Sequence, residues 1–210
     1  ELTVRLRGGD EITCRAFIIA VGVVPNAGMA REAGLEVDRG IIVDEAMRTS
    51  NPDVYAAGDV VELMDRSYGV RRPIPILPLA YRGGLVAGRN MASERAGAPD
   101  GAGAKIFSAI PMNSVEVLGY PVISAGRILA DEGQDELTWQ SVKDRIYRKL
   151  VLEGDVIVGA LFAGEIDRFG IVTGLIQDKV PARRFAREIL RSGANLSSLP
   201  EEIRSVLLER

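Results

Sequence analysis

The chain has 210 residues, 47% hydrophobic and 26% charged, with a formal net charge of -3, the balance of a globular chain that forms one large domain or two small ones. That charge, with no Lys/Arg block, excludes a basic field for nucleic acid. A single cysteine, Cys14, excludes an internal disulfide, a CxxC pair and a Cys-ligated zinc site, and the absence of histidine removes the commonest general base and metal ligand.

In chain order, residues 1–7 and 11–21 read as two strands joined by Gly8-Gly9-Asp10, a hairpin turn. The longest apolar run, residues 16–25, is too short to cross a bilayer and fits a buried strand, so no membrane is expected. Cys14 falls within this strand pattern and reads as a buried structural thiol. Pro25 and Asn26 mark the exit from that sheet. A short helix is expected over 28–33, stopped by Gly34. Strands follow at 41–44 and 53–57, separated by the turn Ser50-Asn51-Pro52-Asp53. Residues 65–78, with prolines at 73, 75 and 78, read as irregular. A helix is expected over 78–94, with Pro78 in the first turn, where no amide hydrogen is needed. Residues 97–104 are Gly, Ala, Pro, Asp and the like, and read as a linker.

The second part opens with strands at 114–118 and 122–125 around Gly119-Tyr120-Pro121. Strands at 136–143, 145–152 and 155–162 follow, the last two meeting at Glu153-Gly154. Helices are expected over 168–177, 182–192 and 200–208. Strands followed by helices make an α+β domain.

The most informative stretch is residues 49–60, Thr-Ser-Asn-Pro-Asp-Val-Tyr-Ala-Ala-Gly-Asp-Val. It reads as a turn, a short buried strand and a Gly-Asp pair at the carboxyl end of the strand. Ligands of open α/β sheets sit outside that end. Gly58 permits close approach of a ligand to the backbone, and Asp59 accepts hydrogen bonds from hydroxyls. This string resembles the second FAD-binding signature of the pyridine nucleotide-disulfide oxidoreductase family. Residues 18–26 are similar to the stretch where chains of that family pass from the NAD(P) domain to the FAD domain. Gly40-Ile41-Ile42-Val43-Asp44 resembles the strand before the FAD signature, and Leu77-Pro78-Leu79-Ala80 the start of a helix facing the flavin ring. Tyr147-Arg148-Lys149-Leu150-Val151-Leu152 and Val158-Gly159-Ala160-Leu161-Phe162-Ala163-Gly164 resemble the small C-terminal domain of rubredoxin reductases and of nitrite reductase flavin portions.

The resemblance implies an α/β and α+β chain: a partial, Rossmann-like FAD/NAD(P)-binding domain followed by a small α+β domain. Residues 1–25 would end the NAD(P)-binding domain, 26–96 complete the FAD-binding domain, 105–181 form the small reductase domain and 182–210 a helical tail. It implies cofactor contacts at Gly58 and Asp59, and at Leu79 and Ala80, where a helix start favours the negative charge of reduced flavin. No catalytic residue and no metal ligand is expected. Arg82 and Arg89 read as solvated, Trp139 as a half-buried strand aromatic, and Glu165 and Asp167 as loop acids.

Two functions follow. In the first, the chain is a fragment of a cytoplasmic, FAD-dependent NAD(P)H oxidoreductase that passes electrons from nicotinamide through flavin to an acceptor. In the second, it is a stand-alone, non-catalytic binding or dimerisation module derived from such a reductase. No G-x-G-x-x-G follows a strand in a suitable context, and no initiator Met opens the chain. Its expected partner is therefore the missing N-terminal half of the same protein. FAD is expected to be absent from the chain alone, NAD(P)H to belong to the parent, and unpaired strands to drive self-association.

Overall fold

The computed structural model describes residues 1–95, 107, 110–192, 200, 201 and 204. Its strands form three sheets, one of two strands, one of three and one of five. The first pairs β1 (Leu2–Arg5) with β2 (Glu11–Cys14), antiparallel, with Leu2 opposite Cys14. Gly9, at φ 95°, supplies the left-handed residue of the turn. β2 stops at Cys14, well short of residue 21. Residues 15–24 have a buried-strand composition but no ladder partner among the described residues. Ile18, Val21 and Val24 are 86%, 89% and 88% exposed. An apolar strand without a neighbouring strand or a covering layer has nothing to pair with or to bury against.

The helix α1 (Gly28–Glu32) leads to a three-stranded sheet of β3 (Ile41–Ile42), β4 (Val61–Asp65) and β5 (Val70–Pro73). β3 runs parallel to β4, and β5 antiparallel to it. This corrects two sequence expectations. Residues 65–78 are not irregular throughout, because β5 pairs Pro73 with Glu62 and Val70 with Asp65. Residues 53–57 form no strand, only the isolated bridge of Tyr55 with Arg48. The acids of β4 conceal it in the sequence. Glu62 and Asp65 look like surface residues, yet they are 2% and 0% exposed because each is ion-paired. The helix α2 (Leu77–Arg95) lays Leu79, Gly83 and Ala87 over this sheet. A Cβ at Gly83 would lie 3.1 Å from Met47 Cε. Val43, Met47, Val61, Leu63 and Phe107 complete the core.

The second part is a five-stranded antiparallel sheet of order β6-β7-β10-β9-β8. Its strands are β6 (Met112–Val117), β7 (Tyr120–Gly126), β8 (Asp135–Ser141), β9 (Ile146–Glu153) and β10 (Val156–Ala163). Tyr120 and Pro121 belong to β7, and the β6–β7 turn is Leu118-Gly119 alone. Both turn residues have positive φ, 52° and 76°, as a type I′ hairpin requires. α3 (Phe169–Gln177), a 3₁₀ turn (Arg183–Phe185) and α4 (Ala186–Ser192) cover one face. Leu150, Leu152, Ile157, Ala160 and Phe162 meet Phe169, Val172, Leu175 and Ile189 there, all essentially inaccessible. The rings of Phe162 and Phe169 pack edge-on, centroids 5.1 Å apart. Residues 127–134 connect β7 to β8. The register of β10 slips between Ile157 and Gly159, where the Arg127 backbone fills the space a Cβ on Gly159 would need.

The two parts meet through Arg127, whose guanidinium donates to the Ser67 carbonyl at 2.9 and 3.2 Å and lies 4.8 Å from the Tyr68 ring. The expected architecture, a partial α/β piece followed by an α+β domain, is the one observed. The linker at 97–104 lies outside the described residues. So does most of the helix expected over 200–208, of which 201 and 204 are helical.

Candidate cofactor cleft

The stretch 49–60 folds on itself through its own polar groups. Thr49 donates its amide to the Val54 carbonyl at 2.9 Å, and the Asn51 side-chain oxygen accepts from the Asp53 amide at 3.0 Å. The chain then reaches Gly58, at φ 98° with open space where a Cβ would be. A Gly58 carbonyl to Val61 amide bond of 3.2 Å closes the turn, and β4 begins. Asp59 thereby stands exposed at the rim of the sheet. Among the described residues it makes no side-chain hydrogen bond or ion pair.

Asp59 borders a cleft of about 830 Å³. The cleft is lined by Val23, Val24, Pro25 and Asn26, by Arg31 on α1, by Asp38, Arg39 and Val60, and by Pro73 and Pro75. Arg39 is held in place by Glu62. The buried Glu62 carboxylate accepts the Arg39 amide at 3.0 Å, the Gly40 amide at 3.2 Å and Arg39 Nη2 at 3.1 Å. Gly40 permits the contact, since a Cβ there would lie 2.7 Å from the Val60 carbonyl oxygen.

The other two expected contacts stand apart from this cleft. Leu79 is 4% exposed, its side chain in the core. The amides of Leu79 and Ala80 both donate to the Ile76 carbonyl at 3.1 Å, and neither residue lines the cleft. Pro78 has no amide hydrogen. Leu77 therefore carries the one first-turn amide without such a bond among the described residues.

Arg31, Asp38, Arg39 and Glu62 are absent from the expected site. The one local sign was an Arg-Gly pair immediately before the apolar strand. Elsewhere, Trp139 is half-buried on the small core, with the Arg148 guanidinium 5.5 Å from its ring. Glu165 pairs with Arg148 at 3.0 Å, a structural contact. Arg82 lies 5.8 Å from the Phe107 ring. No group of three or more His, Cys, Asp or Glu among the described residues is arranged to hold a metal ion. No described helix is long and apolar enough to cross a membrane.

Asp59 thus stands open in the turn that leads into β4, in a half followed by a five-stranded α+β domain. A solved NAD-dependent persulfide reductase from A. fulgidus matches with a TM-score of 0.69 and 26% identity, over 88% of this chain and 36% of that one. The NADH:rubredoxin oxidoreductase structure from Clostridium acetobutylicum matches with a TM-score of 0.58 and 27% identity, over 77% and 39%. Residues 1–83 match the pyridine nucleotide-disulphide oxidoreductase family, and residues 111–180 the rubredoxin NAD+ reductase C-terminal domain. The chain belongs to the pyridine nucleotide-disulphide oxidoreductase family. Among curated relatives, nitrite reductase [NAD(P)H] of Bacillus subtilis is 30% identical over 173 residues, 82% of this chain and 20% of that protein. The assimilatory nitrate reductase electron transfer subunit of the same organism is 27% identical over 94% of this chain and 24% of its own length. The chain thus spans about a quarter or less of these two relatives.

Proposed function

We propose that this chain forms one wall of an FAD site in an NAD(P)H-dependent oxidoreductase, with the remaining walls supplied by a further segment of the parent protein. The observation that carries the reading is Asp59, a carboxylate left open at the edge of a cleft of suitable size for a cofactor. The residues present fit the group. Asp59 accepts the hydroxyls of a ribityl chain, and Gly58 leaves room for that chain to approach the backbone. The start of α2 adds a favourable dipole near Leu79 and Ala80, with Leu77 as the amide free to donate. FAD, when bound, supplies the hydride and electron chemistry between nicotinamide and an acceptor. This chain contributes position: it fixes hydroxyls at Asp59 and helps exclude water through Val23, Val24 and Pro25.

The exposed apolar residues 17–24 support the need for a further segment, because a second layer of protein would bury them. They equally favour the second reading, a non-catalytic association module, and an upstream G-x-G-x-x-G coding sequence decides for the reductase. The site itself is tested by Asp59→Ala in the full-length protein. Flavin affinity is expected to fall by about tenfold or more, the loss of hydrogen bonds to a charged group. Unchanged affinity, by titration of the apoprotein with FAD, contradicts the assignment.

A further inference from the structure

Arg39 belongs to the cleft, yet no hydroxyl-binding role uses it. Its position is unusually determined for a half-exposed arginine. One buried carboxylate, Glu62, takes both its backbone amide and its Nη2, and the neighbouring Gly40 amide as well. Nη2 also donates to the Arg71 carbonyl. A guanidinium anchored at one end loses little further freedom when its other edge meets a ligand. Nη1 of Arg39 makes no hydrogen bond or ion pair among the described residues. Arg31 lines the same cleft from α1, likewise without an ion pair among the described residues. The cleft thus combines a carboxylate suited to hydroxyls with two guanidiniums suited to phosphate.

We propose that Arg39, positioned by Glu62 and assisted by Arg31, recognises the phosphate portion of the nucleotide whose polyol Asp59 holds. The assignment rests on the FAD reading above. It makes Arg39 a residue that selects phosphorylated ligands, with Glu62 as its positioning residue. Asp38 lies beside Arg39, its carboxylate 3.9 Å from Nε, and offsets part of the charge.

The test uses the full-length apoprotein and FAD as the probe, with affinity measured across a range of ionic strength. Arg39→Ala is expected to weaken binding by about tenfold, the loss of a charge-assisted bond, and to flatten the dependence on salt. Arg39→Lys is expected to keep the salt dependence while losing part of the affinity. Glu62→Gln is expected to weaken binding less than Arg39→Ala. Arg39→Ala within twofold of wild type overturns the proposal, as does weakening with unchanged salt dependence. Asp59→Ala separates the two claims: it is expected to weaken binding without flattening the dependence on salt. If Asp59→Ala leaves affinity unchanged, the FAD reading itself fails, whatever Arg39 does.

Discussion

The two halves of this chain solve the same burial problem with opposite success. In the small domain, Leu150, Leu152, Ile157 and Phe162 are fully enclosed by two helices and a five-stranded sheet. In the first half, Leu77, Ile18 and Val24 stand more than four-fifths exposed. Composition does not account for this, since both halves carry ample apolar residues. The difference is the number of layers. A sheet closed by helices on its face has somewhere to put its side chains, and residues 15–24 have no ladder partner among the described residues. The small domain encloses its own core, and the first half leaves these apolar side chains exposed.

That contrast can be broken from either side. Phe162→Ala should destabilise the small domain by about 3–5 kcal/mol, as a cavity under α3 cannot collapse against a rigid sheet. Denaturant unfolding followed at Trp139, which packs on the same core, reports it. A loss below about 1 kcal/mol would mean that this core is looser than its burial implies. Gly159→Ala should cost about 1–3 kcal/mol by overpacking, because the new methyl meets the Arg127 backbone. Its effect should also reach the joint between the halves, since Arg127 holds the Ser67 turn. Ile18→Lys should change stability by less than about 0.5 kcal/mol, as an exposed position with no described partner. It should still reduce self-association of the chain in light scattering, because charge on an unpaired apolar segment opposes strand addition. A large loss of stability would place Ile18 in a contact.

Much of the small domain was legible in advance. Its turns carry Gly119 and Gly154, and its pairings are local hairpins apart from the β7–β10 crossing. The first half was harder because its order depends on distant pairs. β4 was concealed by Glu62 and Asp65, whose burial depends on Arg39 and Arg72. The apolar run after Cys14 reads as a strand by composition, and lacks the neighbour that would make it one. The turn at Gly58 and Asp59 was readable because it is a local feature, although the strand expected before it, at 53–57, did not form. Arg39 was not, since its placement comes from a carboxylate 23 residues away. At the helix start, the bonds of the Leu79 and Ala80 amides to the Ile76 carbonyl were not legible, because they depend on the turn at Ile76.

The shared-site account is tested most directly by the visible flavin absorbance of the purified 210-residue chain, alone and co-expressed with the segment carrying the upstream phosphate loop. The chain alone should be colourless, and the pair should hold flavin in proportion to protein. Stoichiometric FAD on the chain alone, or none on the pair, would contradict it.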